Sequence, residues 1–223
     1  MSEVIITVRG EHETRVAPEE AVATISVKAE GTDRGAVVER IAALAAPLRA
    51  DLTARAEDGT IAEWSSQRAT VWANRPWNNE GKQLALVHYA SVEISATFQD
   101  FAALSWWVSD VAERDGVQVD GVQWRLSPAT AKDTEADAAA TAVRVAVDRA
   151  TAYASAIGLT SVSPVEIADI GLLTRQAQDG GAPAPKMMRA MAMSSMDGVG
   201  PSVQFQPEDI VVSAGVEARF VAR

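Results

Sequence analysis

The sequence predicts an α+β protein whose sheets are largely antiparallel, with elements in the order ββα-ββα-βα-ββ. Segments with the two-residue period of strands occur in pairs, and only three segments have the 3.6-residue period of helices. Paired strands with few helices favour hairpins over the parallel crossovers of a doubly wound sheet. We expect a single domain over residues 1–223, with an irregular segment rich in Met, Pro and Gly at about 175–207.

The first ββα unit begins with an apolar run at residues 4–8. A second strand follows over 21–29, where every odd position is apolar. A helix is predicted next, because apolar residues recur three and four positions apart over 37–52. Pro47 lies inside this pattern and is expected to kink or break the helix near Ala46, since proline cannot donate a backbone hydrogen bond.

The second ββα unit has two longer strands, AEWSSQRATVWAN (62–74) and QLALVHYASVEISATF (83–98), joined by a turn at RPWNNEGK (75–82). Asp100 is placed to cap a following helix, because its carboxylate can accept hydrogen bonds from the free N–H groups of a first turn. That helix is expected to end before Gly116. Its buried stripe is predicted to comprise Phe101, Leu104, Val108 and Val111.

A strand at VQVDGVQWRLS (117–127) precedes the longest predicted helix, which is rich in alanine. Ser127 and Pro128 predict its start, as an N-cap and a proline in the first turn, and Gly158 predicts its end. We expect this helix to pack on the protein's own sheet, although a coiled coil would also use a seam of small residues. The predicted seam is Ala136, Ala140, Val143, Val147, Ala150, Ala154 and Ile157. Two terminal strands follow, in SPVEIADIGLLT and DIVVSAGVEARFVAR.

Composition limits the classes of function. The chain has no cysteine, which excludes disulfides, thiol catalysis and thiolate metal sites. Its net charge of −10 and pI near 4.7 disfavour binding to nucleic acid and adsorption to anionic membranes, which both need clustered cations. No signal-peptide pattern opens the chain, and no apolar run approaches the ~20 residues of a membrane helix. We therefore expect a cytoplasmic protein that neither inserts into membranes nor binds nucleic acid.

Motifs for catalysis or cofactor binding are missing from the sequence. A lone strand histidine such as His88 is more often structural than a general base, and His12 lies in a charged segment. Phosphate-binding glycine loops and nucleophile elbows are absent. Carboxylates are abundant, but their spacing selects no acid–base pair. The sequence thus predicts no catalytic, cofactor-binding or metal-binding residue and a non-enzymatic role, with a carboxylate-using hydrolase as an alternative.

Tryptophans are candidates for contacts. Trp64 and Trp72 are eight positions apart, which predicts one shared face of a strand, and Trp77 lies in the turn beyond. Such rings can stack on a ligand, but on paired strands they more often lie in the core or at a subunit contact. Trp107 fits the buried stripe of its helix, so Trp106 is the better candidate for an exposed contact. The predicted contact tryptophans are Trp64, Trp72, Trp77 and Trp106.

Five of the six methionines lie in the irregular segment, at Met187, Met188, Met191, Met193 and Met196. Their spacing could offer thioethers to Cu(I), but no histidine or cysteine joins them, so soft-metal binding is the alternative. Reversible oxidation would turn an adaptable apolar surface polar. The interpretation we favour is an adaptable contact to a neighbouring subunit or partner, or a partly ordered loop.

Four segments of the chain resemble the SIMPL-domain family in their order, and together they cover nearly all of it. The most specific elements are VRGEHETRVAPEEA near the start, GVQWRLS before the alanine-rich helix, and the Met-rich segment before the last strand. The four segments are ITVRGEHETRVAPEEAVATISVKAEG, HYASVEISATFQDFAALSWWVSDVAERDGVQVDGVQWRLS, EADAAATAVRVAVDRATAYASAIGLTSVSPVEIADIG, and the Met/Pro/Ala stretch with EDIVVSAGVEARFVAR.

The resemblance implies an α+β domain that frequently forms higher oligomers, including ring- or channel-like assemblies, with no established enzymatic activity. The SIMPL family includes bacterial envelope proteins, some linked to oxidative-stress protection, and an animal adaptor that associates with a Pelle-like kinase. Because the family has no agreed catalytic motif, the resemblance supplies no site residue. The chain departs from the bacterial pattern by opening without a signal peptide and by the tryptophans of its 64–77 hairpin. We predict a protein that acts as a homo-oligomer or by binding a protein partner.

Overall fold

The computed structural model describes residues 3–173 and 203–223 and confirms the α+β prediction. The elements follow the predicted order, and the strand pairs in both sheets are antiparallel. The strands are β1 (Val4–Val16), β2 (Glu20–Gly31), β3 (Ile61–Asn74), β4 (Val87–Phe98), β5 (Val117–Arg125), β6 (Val162–Asp169) and β7 (Ile210–Ala222). The helices are α1 (Arg34–Glu57), α2 (Phe101–Ala112) and α3 (Pro128–Ala156).

Two compact units make up the described chain. The first contains residues 3–17, 126–173 and 209–223, and holds α3 with a three-stranded sheet in the order β1-β7-β6. The second contains residues 18–125 and 203–208, and holds α1 and α2 with a four-stranded sheet in the order β3-β4-β2-β5. Each unit has its own hydrophobic core.

In the first unit, α3 packs on β1 and β7. The helix comes close because Gly10 of β1 has no side chain: a Cβ built there would lie 2.0 Å from the Ala142 carbonyl oxygen and 2.9 Å from the Ala146 Cβ. Beside this contact, Nη1 of Arg149 donates a hydrogen bond to the Arg9 carbonyl at 2.6 Å. Small residues on helix and strand therefore set the distance between them.

The ends of α3 are as predicted. Ser127 is the N-cap, its hydroxyl accepts a hydrogen bond from the Thr130 N–H, and Pro128 lies in the first turn. Just past the helix, Gly158 has a φ of +78°, which lets the chain turn away without steric cost.

Helix α3 packs on the protein's own sheet, as predicted. The set of residues predicted to form its buried seam is wrong in part. Ala136, Ala140, Val147 and Ile157 are exposed. The buried residues are instead every fourth one, Ala138, Ala142, Ala146, Ala150 and Ala154. A strict four-residue spacing advances by about 40° at each step, so the stripe winds around the helix. A helix that crosses a twisted sheet is expected to bury such a winding stripe.

In the second unit, α1 and α2 cover one face of the four-stranded sheet. The odd positions of β2 from Ala21 to Ala29 are buried, as predicted, and pair with the buried positions of β4 from Ala90 to Phe98. Asp100 caps α2 as expected, because its Oδ1 accepts from the Ala102 and Ala103 N–H groups. The opposite face of the sheet carries mainly polar side chains.

Helix α1 is continuous through Pro47, so the break expected near Ala46 is wrong, while the kink given as the alternative stays a prediction. Ala45 and Leu48, which flank the proline, are fully buried in the structure. Tertiary packing of this apolar stripe outweighs the loss of one backbone hydrogen bond.

An ion pair with a buried carboxylate and a partly exposed guanidinium lies on the polar face of the four-stranded sheet. Glu20 is 6% exposed, and Arg125, directly opposite in β5, donates to it from Nε at 2.7 Å. Nη2 of Arg125 donates to Glu63 at 3.2 Å and lies 3.5 Å from the Thr97 hydroxyl. The hydrogen bond to Glu20 raises the pKa of Arg125, so the guanidinium stays charged. This one side chain connects residues of β2, β3 and β4 to β5.

Replacing Gly10 with alanine should lower the free energy of unfolding by about 2 kcal/mol, because the added methyl group meets backbone atoms of α3. Thr7→Val, at an exposed position of the same strand, is the control and should change stability by less than about 0.5 kcal/mol. Urea unfolding followed by circular dichroism measures both variants. Wild-type stability in Gly10→Ala would contradict the close approach of α3.

Replacing Arg125 with methionine should destabilise the fold by about 2 kcal/mol at pH 7, since Glu20 is left buried without its partner. Urea unfolding at pH 7 tests this. Adding Glu20→Gln should restore part of the stability, because no unpaired carboxylate is then left buried. A double variant as unstable as Arg125→Met alone would refute the ion-pair explanation.

Candidate interaction surface

Strand β3 lies at the edge of the four-stranded sheet and pairs with β4. Its register against β4 shifts between Ile61 and Glu63, and again between Ser65 and Arg68. Each shift adds one residue to β3, and one extra residue turns all following side chains to the opposite face. The odd-numbered residues of β3 therefore face one side of the sheet before a shift and the opposite side after it, and the same holds for the even-numbered residues.

The prediction that Trp64 and Trp72 share a face is therefore wrong. Trp64 pairs with Ala96 and packs against the core of the second unit. Trp72 pairs with Tyr89, and their rings stack with centroids 5.4 Å apart, while 48% of Trp72 stays exposed. A spacing of eight preserves a face only in an uninterrupted strand, and the shift between Ser65 and Arg68 interrupts this one.

Beyond the second shift, residues 68–74 of β3 pair with residues 87–93 of β4, and residues 75–86 connect the two strands. We call residues 68–89 of this hairpin the arm. Its tip is built around Asn78, whose Oδ1 accepts hydrogen bonds from the N–H groups of Glu80 at 3.1 Å and Lys82 at 2.8 Å. Gly81, with a φ of +73°, donates its N–H to the Asn78 carbonyl at 3.0 Å. The tip is thus a defined turn held by its own hydrogen bonds.

Large apolar side chains are exposed along the arm. Every residue from Gln67 to Asn74 is exposed, so this part of β3 is uncovered on both faces. The arm holds five of the sixteen large hydrophobic side chains that are exposed in the described chain, which is far more than its share of the length. These five are Val71, Trp72, Trp77, Leu84 and Leu86, and Trp77 is the most exposed at 67%.

The arm differs from the rest of the chain in its charge. Arg68, Arg75 and Lys82 outnumber the single carboxylate of Glu80, which gives the arm a net charge of +2. The whole chain carries −10, so the residues outside the arm carry −12. Within the described residues, the ion pairs found involve none of these three cations.

The adjacent tryptophans of α2 separate as predicted. Trp107 is buried, packs on Phe98 with ring centroids 5.3 Å apart, and donates a hydrogen bond from Nε1 to Asp51 at 3.0 Å. Trp106 is 59% exposed and is the one large apolar side chain of α2 on the surface. It remains a candidate contact and offers a matched comparison for the tryptophans of the arm.

The methionine-rich candidate contact lies outside the described residues, at Met187, Met188, Met191, Met193 and Met196. Of the irregular segment predicted at 175–207, the structure describes 203–207. There Phe205 packs edge-on against Trp124 with centroids 5.7 Å apart, and the Val203 N–H donates to the Ser109 hydroxyl at 3.2 Å. The chain therefore rejoins the second unit through an aromatic contact with β5.

Neither histidine lies in an arrangement with an evident chemical role. His12 lines a cavity of about 470 Å³ in the first unit with Glu11 and Glu13, and His88 is half-buried in β4 of the second unit. Among the residues that the structure describes, no group of three or more His, Cys, Asp or Glu side chains could hold a metal ion. A carboxylate-using hydrolase stays a hypothesis.

Arg125 and Glu63 also line a cavity of about 230 Å³ in the second unit, beside the hydroxyls of Ser65 and Ser95, which are 2.9 Å apart. Both carboxylates near this cavity, Glu20 and Glu63, bind the guanidinium. The arrangement explains how four strands are tied together, and the arm is the stronger candidate for function.

No helix in residues 3–173 and 203–223 has both the length and the apolar character needed to span a membrane. A family model described as SIMPL, a protein of unknown function (DUF541), matches residues 6–220, a range that includes residues of both compact units. No match is found among the curated proteins. The expectation of a single domain over 1–223 stays a prediction. With nearly its whole length matched, the chain belongs to the SIMPL family.

Proposed function

We propose that the chain is a non-enzymatic protein that self-associates, and that its arm makes the contact between copies. The observation that carries this proposal is the set of five large apolar side chains exposed on a hairpin that leaves Gln67 to Asn74 open on both faces. Clustered exposed apolar residues are typical of interaction surfaces, whereas single ones are common on any protein.

The arm is preorganised, because contacts within the single chain hold its conformation. Its tip is fixed by the hydrogen bonds of Asn78, and Trp72 is held by stacking on Tyr89. Rigid aromatic side chains lose little conformational freedom on binding, and tryptophan and tyrosine are enriched among the residues that contribute most to interfaces.

The free edge of β3 supports the same conclusion. An edge strand presents a row of backbone N–H and C=O groups that can pair with another chain. Bulges commonly protect such edges against pairing with another chain. In β3 the two register shifts lie in the inner part of the strand, so its outer part is regular. That regular outer part is where Val71 and Trp72 are exposed. Oligomers are also what the resemblance to the SIMPL family implies.

Light scattering after gel filtration should show a species larger than the 23.6 kDa monomer at micromolar concentrations. Trp72→Ala combined with Trp77→Ala should weaken association at least about tenfold, because truncating central aromatic contacts commonly costs more than 1.4 kcal/mol. The double variant should therefore elute at a smaller mass than the wild type.

Trp106→Ala is the matched control, since it removes from α2 a tryptophan whose exposure lies between those of Trp72 and Trp77, and it should leave the mass unchanged. Circular dichroism establishes that all variants are folded. A wild-type chain that is monomeric at high micromolar concentration would refute self-association. Loss of assembly in Trp106→Ala but not in the arm variant would place the contact on α2 instead.

A further inference from the structure

We infer that two copies pair through the outer part of β3, which runs antiparallel to the same strand of the second copy about a two-fold axis at Val71. This inference rests on the proposed self-association and adds the surface that is met on the second copy and the register of the contact. It is carried by one observation: residues 68–74 pair with β4 without a shift, while their other edge has no partner strand in the part of the chain that the structure describes.

The length of this regular segment selects the register. Residues directly opposite each other in an antiparallel pair point to the same face, so the axis must pass through a residue and not between two. An axis at Val71, the middle of 68–74, pairs all seven residues of the segment. An axis one residue earlier would bring the second register shift of β3 into the pair. One residue later, Arg68 would face Pro76, which has no N–H to donate.

Small apolar side chains meet on one face of the pair. This is the face of the sheet on which Ala90 and Val92 of β4 are buried. In the selected register, Val71 lies opposite Val71 of the second copy, and Ala69 lies opposite Ala73. All three residues are exposed in the single chain, so the pairing buries a continuous apolar strip that is otherwise in water.

The side chains on the other face are also compatible. There Trp72 lies opposite Thr70 of the second copy, and aromatic side chains beside β-branched ones stabilise a strand pair. Tyr89 already stacks on Trp72 from the β4 side, so the indole is held where this contact needs it. Arg68 lies opposite the neutral Asn74, and thus no like charges are directly opposed.

The positive charge of the arm does not oppose the pairing. Arg68 lies opposite Glu93 of its own chain in the register of β3 and β4, so its charge is balanced locally. Because the paired strands are antiparallel, the two tips, with Arg75 and Lys82, point in opposite directions. The Arg75 residues of the two copies lie about 27 Å apart at ~3.4 Å per residue, far beyond the ~8 Å over which charges interact at physiological salt.

This contact has a consequence for the assembly. Backbone N–H and C=O groups of the free edge find partners, and the four strands of each copy continue into one sheet across the interface. Both copies use the same surface, so this contact is complete in a dimer.

Opposite charges at Val71 test the axis, because only there does a side chain face itself. Val71→Lys and Val71→Glu each place like charges directly opposite each other, and each should raise the dissociation constant at least tenfold in sedimentation experiments. An equimolar mixture of the two variants should associate within threefold of the wild type.

The controls are Val38→Lys and Val38→Glu, at a similarly exposed valine of α1, and each should change the dissociation constant less than threefold. Circular dichroism establishes that all variants are folded. A mixture of the two Val71 variants that associates no more tightly than either alone would overturn the inference.

Crosslinking reads the register directly. Because the chain has no cysteine, Val71→Cys introduces a single thiol, and its Cα lies about 4.5–5.5 Å from that of the second copy, within the range of a disulfide. We expect disulfide-linked dimers on mild oxidation. Ala69→Cys and Ala73→Cys should each give none alone, since each residue is about 14 Å from its own copy, but the two variants should link when mixed.

The outcomes separate the inference from the proposed function. A monomeric wild type would remove both. An assembled wild type would leave self-association standing but overturn the strand pairing in either of two cases: Val71→Cys gives no linked dimer, or Ala69→Cys links to itself as readily as Val71→Cys does.

Discussion

Side chains alternate between the two faces of a strand, so the register shift between Ser65 and Arg68 determines which residues of β3 face the core and which lie at the surface. Before the shift, Trp64 packs against the core; after it, Trp72 stacks on Tyr89 at the surface. The inner part of β3 thus holds the hairpin to the core, and its outer part carries side chains that are exposed to solvent. The exposed apolar residues, the free edge and the positive charge of the arm all lie on the outer side of this one irregularity.

The first unit depends on a comparable local constraint, the missing side chain of Gly10. Backbone atoms of α3 occupy the space that a Cβ would need, so the alanines of the helix come into direct contact with the sheet. In both units, polar side chains then hold the arrangement: Arg149 donates to β1 in the first, and Arg125 joins four strands in the second. The arm is one part of the described chain where comparable covering is missing, and the segment from Val165 to Leu172, which also exposes large apolar side chains, is another.

Local signals predicted the order of elements well. The caps Ser127 and Asp100, and the turn at Gly158, depend on a few neighbouring residues and were predicted correctly. The seam of α3 was predicted only in part, because alanines occupy several faces of the helix and the distant Gly10 selects among them. The face of Trp72 was missed because a register shift leaves no periodic signal in the sequence. The positive tip could have been found by summing charges segment by segment instead of over the whole chain.

Hydroxyl-radical footprinting read by mass spectrometry tests the central claim without any substitution, since it reports the solvent exposure of each tryptophan in the intact protein. If the arm joins copies, oxidation of Trp72 and Trp77 should slow as the protein concentration rises through the association range. Oxidation of Trp106, whose exposure lies between theirs, should stay constant. Rates that are independent of concentration at Trp72 and Trp77, in a sample shown to be assembled, would contradict the account.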